Sequence, residues 1–130
     1  MRVFESGVGC FSCKLNIVDD NNVFVGFDYS SCCCESFGYK ITNEEPTSFE
    51  HLEMLEELGA KDFPGFNFDT TYMNDFGEVS GYNEGNSVTF KAVNSAGEAL
   101  FISLMNSHNG YYSHGFDMKV GEKVVFEGSL

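Results

Sequence analysis

Apolar and polar side chains alternate along most of this chain. In Phe37-Gly-Tyr-Lys-Ile-Thr42 an apolar or aromatic residue occupies every second position, the period at which strand side chains return to one face. Residues 15–18 and 23–27 are β-rich runs separated by Asp19-Asp20-Asn21-Asn22, four short polar side chains that favour turns, and they predict a hairpin. Residues 87–93 and 98–106 predict another around Asn94-Ser-Ala-Gly97, with Gly97 suited to a left-handed position. The clearest signal lies between Glu98 and Lys119, where Asn109-Gly110 tolerate the positive φ angles of a type I′ turn and the flanking runs are aromatic and branched. Such a turn fixes a register, with His108 opposite Tyr111, Met105 opposite His114, Ser103 opposite Phe116 and Phe101 opposite Met118. Phe101, Met105, His114, Phe116 and Met118 are then expected on the core face. The other face, with Leu100, Ile102 and Leu104 beside Asn106, Ser113 and Asp117, is expected to be partly covered. Residues 87–119 thus read as a three-stranded meander. A last strand, Lys123-Val-Val-Phe126, follows the Gly121-Glu122 turn, and a short strand precedes a bend at Gly7 and Gly9.

The period changes between Pro46 and Gly59. Phe49, Leu52, Leu55 and Leu58, with Met54 alongside, recur at helical spacing; Thr47 or Ser48 can cap the start and Gly59 the end. The opposite face carries Glu50, Glu53, Glu56 and Glu57, with Glu50 and Glu53 near the positive end of the helix dipole. Residues 60–85 form a long connection with a strand expected over 68–73 and with Phe63, Phe66, Phe68, Tyr72 and Phe76 to order it. These elements predict one α+β domain over residues 1–130: an antiparallel sheet of about six strands with one amphipathic helix near residues 48–58.

Composition supports a folded chain. A hydrophobic fraction of 42% and an aromatic fraction of 15% lie outside the range of disordered sequences. No run approaches the roughly 18 to 20 apolar residues that span a bilayer, and no signal-peptide pattern follows Met1, so a cytoplasmic protein without membrane contact is expected. Seven Lys and Arg against 20 Asp and Glu give a formal charge of −13, which repels nucleic acid and anionic lipid and attracts basic proteins. The plainer role of such a charge is solubility.

Cys10 and Cys13 form a Cys-x-x-Cys pair, and Cys32, Cys33 and Cys34 are consecutive. A structural zinc site needs four thiolate or imidazole ligands. Adjacent cysteines on a strand point to opposite faces, so at most Cys32 and Cys34 could join Cys10 and Cys13 on one side. Thiols also pack well in a β core, which is the expectation preferred here over zinc. A cysteine nucleophile would need a base, and one of the triplet with His108 is the available pair, without a catalytic spacing. His114 reads as a core histidine and His51 as solvent-facing. No phosphate loop, dinucleotide fingerprint, zinc-protease or nucleophile-elbow motif is present, and Asp19-Asp20-Asn21-Asn22 lacks the later bidentate Glu of a calcium loop.

Ser31-Cys-Cys-Cys-Glu-Ser36 and Ser107-His-Asn-Gly-Tyr-Tyr-Ser-His-Gly-Phe116 resemble an uncharacterised domain family of small bacterial and phage proteins. That family has a Cys-Cys-Glu element, a short acidic helix and a late Asn-Gly-Tyr-Tyr hairpin in the same order. The resemblance covers most of residues 14–119, with Cys33, Cys34 and Glu35 on the first element and Asn109 to Tyr112 on the second. It implies no activity. A phage setting implies small acidic proteins that occupy basic nucleic-acid surfaces of host defence proteins, anti-CRISPR proteins among them. The expectation is a non-catalytic binding or inhibitory protein with no cofactor and a basic protein partner. Its contact residues would be Glu50, Glu53, Glu56, Glu57, Asp69, Asp75, Glu78 and Glu84. A second copy of the chain is the other partner the sequence allows. The alternatives are a zinc- or thiol-dependent domain and a cysteine-nucleophile enzyme.

Overall fold

A computed structural model describes residues 1–6, 14–28, 36–75, 85–107 and 115–130. In chain order the elements are β1 (Arg2–Ser6), β2 (Lys14–Val18), β3 (Val23–Asp28), β4 (Ser36–Thr42), α1 (Phe49–Met54), β5 (Asn67–Phe68), β6 (Asn74–Asp75), β7 (Gly85–Val93), β8 (Ala99–Ser107), β9 (Gly115–Val120) and β10 (Lys123–Ser129). The described fold is α+β and dominated by antiparallel sheet, but its strands divide between two sheets. One runs β1-β2-β3-β9-β10 (sheet A); the other runs β4-β8-β7-β5, with β6 also on β7 (sheet B).

Three hairpins form where the turn chemistry places them. β2 and β3 pair Val18 with Phe24, and the Asp19 carboxylate closes their turn: its Oδ1 accepts the N–H groups of Asn21 and Val23, both at 2.9 Å. Its Oδ2 accepts the Phe68 N–H at 2.8 Å, which ties the turn in sheet A to β5 in sheet B. β7 and β8 pair Val93 with Ala99, with Gly97 at φ 83° and the Asn94 carboxamide accepting from Ala96 and Glu98. β9 and β10 join through Gly121 and Glu122.

The expected β8–β9 hairpin is corrected by the sheet order. β8 pairs with β4 and β7, whereas β9 pairs with β3 and β10, so Ser103 lies opposite Lys40 and Thr89, and Met118 lies opposite Val25 and Phe126. The two strands belong to different sheets. Residues 108–114, with the Asn109-Gly110 signal, His108 and His114, lie outside the described residues. Phe116 and Met118 lie in the core as expected, but on β8 the face assignment reverses. Leu100, Ile102 and Leu104 point into the inter-sheet core, while Phe101, Ser103 and Met105 occupy the outer face of sheet B.

The core lies between the sheets. Leu15, Ile17, Val25, Phe27 and Met118 of sheet A meet Ile41, Val88, Phe90, Ile102 and Leu104 of sheet B, and Phe90 makes an edge contact with Phe116 at 6.1 Å. A Cβ on Gly128 would sit 2.9 Å from the Phe116 ring, so that ring occupies the space a side chain would need.

The helix and the long connection are shorter in regular structure than the periodicity suggests. α1 ends at Met54, because Leu55 turns to ψ 143° and the following chain runs extended until the Leu58 N–H reaches Ile41 O at 2.8 Å. Leu58 therefore packs against the core from outside the helix, Glu56 and Glu57 follow the helix without belonging to it, and Met54 is 83% exposed. Of the strand expected over 68–73 only Phe68 is in a strand, at the end of β5; residues 69–73 hold a turn in which the Tyr72 N–H donates to Asp69 O, and β6 begins after them.

Candidate binding face

Between Phe101 and Met105, the middle of the outer face of sheet B is built from small hydroxyl side chains. Ser103 pairs with Lys40 on one side and Thr89 on the other, and Ser103 Oγ and Thr89 Oγ1 share a hydrogen bond of 2.8 Å. Thr42, Ser87, Thr89 and Ser103 are all buried to within 1%. Short side chains let a helix approach closely, and α1 supplies Leu52, fully buried and separate from the inter-sheet cluster.

A six-residue helix has too few internal bonds to persist alone, so its ends are held from outside. Ser48 is the N-cap, its hydroxyl accepting the His51 N–H at 3.0 Å. His51 reaches back to accept the Thr47 N–H on Nδ1 at 3.0 Å, an imidazole version of the capping box. A nitrogen that accepts from a backbone N–H carries no proton, so the ring hydrogen sits on Nε2, 3.5 Å from Glu44 Oε1. At the other end Lys40 Nζ donates to Leu52 O at 2.9 Å and Glu53 O at 3.2 Å. His51 is thus half-buried and engaged, where the sequence suggested a solvent-facing ring.

Over this frame lie Glu44, Glu45, Glu50, Glu53, Glu56 and Glu57, all exposed, in a stretch from residue 41 to 60 that holds no Lys or Arg. Lys40, just before this stretch, donates to the helix carbonyls. A second acidic segment joins them. The Tyr72 hydroxyl donates to Glu45 Oε1, fastening the 69–75 segment to 44–45, and the Tyr72 ring makes an edge contact with Phe101 at 6.3 Å while Lys91 Nζ lies 5.8 Å from its centre. Partial burial, and then the Glu45 carboxylate, push the Tyr72 phenol up to about 12. Asp69 caps its own turn: the Thr71 hydroxyl and N–H donate to Oδ1 at 2.6 and 2.9 Å and hold the carboxyl below its ordinary value.

Of the expected contact residues, Glu50, Glu53, Glu56 and Glu57 are exposed on and just beyond α1. Asp69 and Asp75 lie on the segment that Tyr72 fastens beside it. Glu78 and Glu84 fall outside the described residues, as do Cys10, Cys13 and Cys32 to Cys34. The strand ends that flank the cysteine-bearing segments are described: Ser6, Lys14 and Asp28 lie side by side at one end of sheet A. Among the described residues no group of three His, Cys, Asp or Glu is placed to hold a metal ion, and no helix is long and apolar enough to cross a membrane.

Glu44, Glu45 and Tyr72 are the additions the structure makes to the expected face. Glu44-Glu45 before Pro46 is visible as a charge run, but nothing local links it to Tyr72. Elsewhere, an open depression of about 430 Å³ is lined by Met1, Arg2, Asp19, Asp20, Asp62 and Pro64, and the Asp19 carboxylate there accepts three backbone N–H groups. Comparison with known proteins finds no family model that matches the chain and no curated protein or solved structure similar to it.

Proposed function

We propose that the chain is a non-catalytic binding protein that engages a basic protein partner through the acidic face over α1. The observation that carries the reading is the run of six exposed carboxylates between Glu44 and Glu57, with no cation within it and with a second acidic segment fastened alongside by Tyr72. Such a face presents anionic groups on a sheet-backed surface, the complement of a groove that tracks a phosphate backbone. Occupying such a groove is inhibition by competition with nucleic acid, and the proposed partner is a nucleic-acid-handling protein of a phage host. No covalent chemistry is needed.

The test uses fluorescently labelled poly-L-lysine as a defined basic probe. Reversing Glu50, Glu53, Glu56 and Glu57 to Lys, each worth two charges, takes the formal charge from −13 to −5. A control reverses four exposed acids elsewhere, Glu5, Asp20, Glu122 and Glu127, to the same net charge. At low salt the helix-side variant is expected to lose about tenfold more affinity than the control and to show a shallower salt dependence. Equal losses would show that net charge alone attracts the probe and would sink the face.

A further inference from the structure

The sheets have four outer edges, and two of them, along β1 and β4, are met by further chain. Along β1, Val3 N–H donates to Lys61 O at 2.8 Å and Phe63 N–H to Met1 O at 2.7 Å. Beside β4, the Leu58 N–H donates to Ile41 O, and the opposite edge of sheet B is made of two-residue strands, β5 and β6, on β7. β10 is a seven-residue edge strand with no partner on its far side among the described residues. It is also the strand with a break in register: Val124 lies opposite Lys119 and Phe126 opposite Met118, so Val125 is an extra residue.

We infer that the Val125 bulge is an edge guard that keeps two copies of this chain from pairing through β10. An open edge is a template for a second strand, and here it would be an apolar one: Val124 is 41% exposed and Val125 and Phe126 are half-buried. The bulge turns the alternation over in mid-strand. Val124 faces outward with Lys119, and Phe126 faces the core with Met118, although they are two residues apart. A partner strand with regular alternation cannot match both halves. Removing Val125 would make the register uniform from Lys123 to Ser129 while leaving Val124 opposite Lys119 and Phe126 opposite Met118, so the deletion opens the edge without turning any flanking side chain.

The experiment is sedimentation velocity across a concentration series on the full chain and on the Val125 deletion, with circular dichroism on each. The parent is expected to stay at the mass of one chain, and the folded deletion variant to shift towards twice that mass as concentration rises. A folded deletion variant that stays monomeric overturns the inference, and so does a parent that dimerises and loses the dimer on Val124→Pro. A second variant, Lys123→Val with Glu127→Val, keeps the bulge and removes the edge charges, and it decides the matter if the deletion variant does not fold. It is expected to remain monomeric; dimerisation would assign the guarding to the charges instead.

Discussion

The two outer faces of the sandwich solve the same problem in opposite ways. Sheet B presents short hydroxyl side chains and hides them under a helix; sheet A presents Phe4, Val18, Phe24, Val124 and charged residues and leaves them without a helix among the described elements. Cations follow the same division. Arg2, Lys14, Lys119 and Lys123 are on the strands of sheet A, where Arg2 lies over the Phe4 ring at 5.5 Å and Lys119 pairs with Asp117 at 3.4 Å. On the sheet B side, Lys40 and Lys91 are turned onto the helix end and the Tyr72 ring. A covered face can carry a one-signed surface because buried contacts hold its scaffold, whereas a bare face needs mixed charges and long side chains to stay soluble.

That comparison is broken most directly at its two apolar anchors. Leu52→Ala removes a fully buried helix side chain and is expected to cost about 3 kcal/mol. Phe4→Ala, at 38% exposure, is expected to cost under about 1 kcal/mol. Both are read by urea denaturation, and comparable losses would mean that sheet A is covered as well. Tyr72→Phe tests the fastening of the second acidic segment, with an expected cost of about 1 kcal/mol at neutral pH. Its pH dependence sharpens the assignment. The folded phenol is raised from 10.0 to about 12, so its stabilisation is complete below pH 10 and is lost as pH rises through 12. The parent should therefore lose more stability than Tyr72→Phe across that window, and parallel profiles would disconnect Tyr72 from Glu45. The smallest expected change is in the stability of the helix-side Glu to Lys variant. With all four carboxylates exposed, each reversal is expected to shift stability by less than about 0.5 kcal/mol, so a large loss would show that those carboxylates hold the fold as well as its surface.

Local chemistry made the hairpins legible, and long-range pairing was not. Asp19 to Asn22, Asn94 to Gly97 and Gly121-Glu122 announce turns because their side chains and φ angles act within a few residues. The Asn109-Gly110 signal is of the same kind, yet a turn says nothing about which sheet the departing strand enters. β8 and β9 part company because β8 fills the gap between β4 and β7, and β9 completes the edge of β3. The inside of β8 could have been read from composition. Leu100, Ile102 and Leu104 share a parity, Ser103 breaks the other, and Val88, Phe90 and Ala92 repeat the pattern on β7. The helix stripe overran for a related reason: Leu58 is apolar for a contact with the core made after the helix has ended. Exposed acids were the most legible part of the candidate face, since unpaired carboxylates stay in water. Their assembly was not, because the Glu45–Tyr72 bond spans 27 residues.

The pairing of β3 with β9 also sets a timetable. During synthesis β1, β2 and β3 emerge first, and Val25 and Phe27 must wait for Met118 and Phe116 from the far end of the chain. At roughly 5–20 residues per second, the inner edge of a nascent hairpin stays open for several seconds, with sheet B completed before sheet A. The strands made after sheet B, β9 and β10, are thus the ones that close the sandwich, and a nascent chain stalled before β9 would expose Ile17, Val25 and Phe27 to chaperones and proteases.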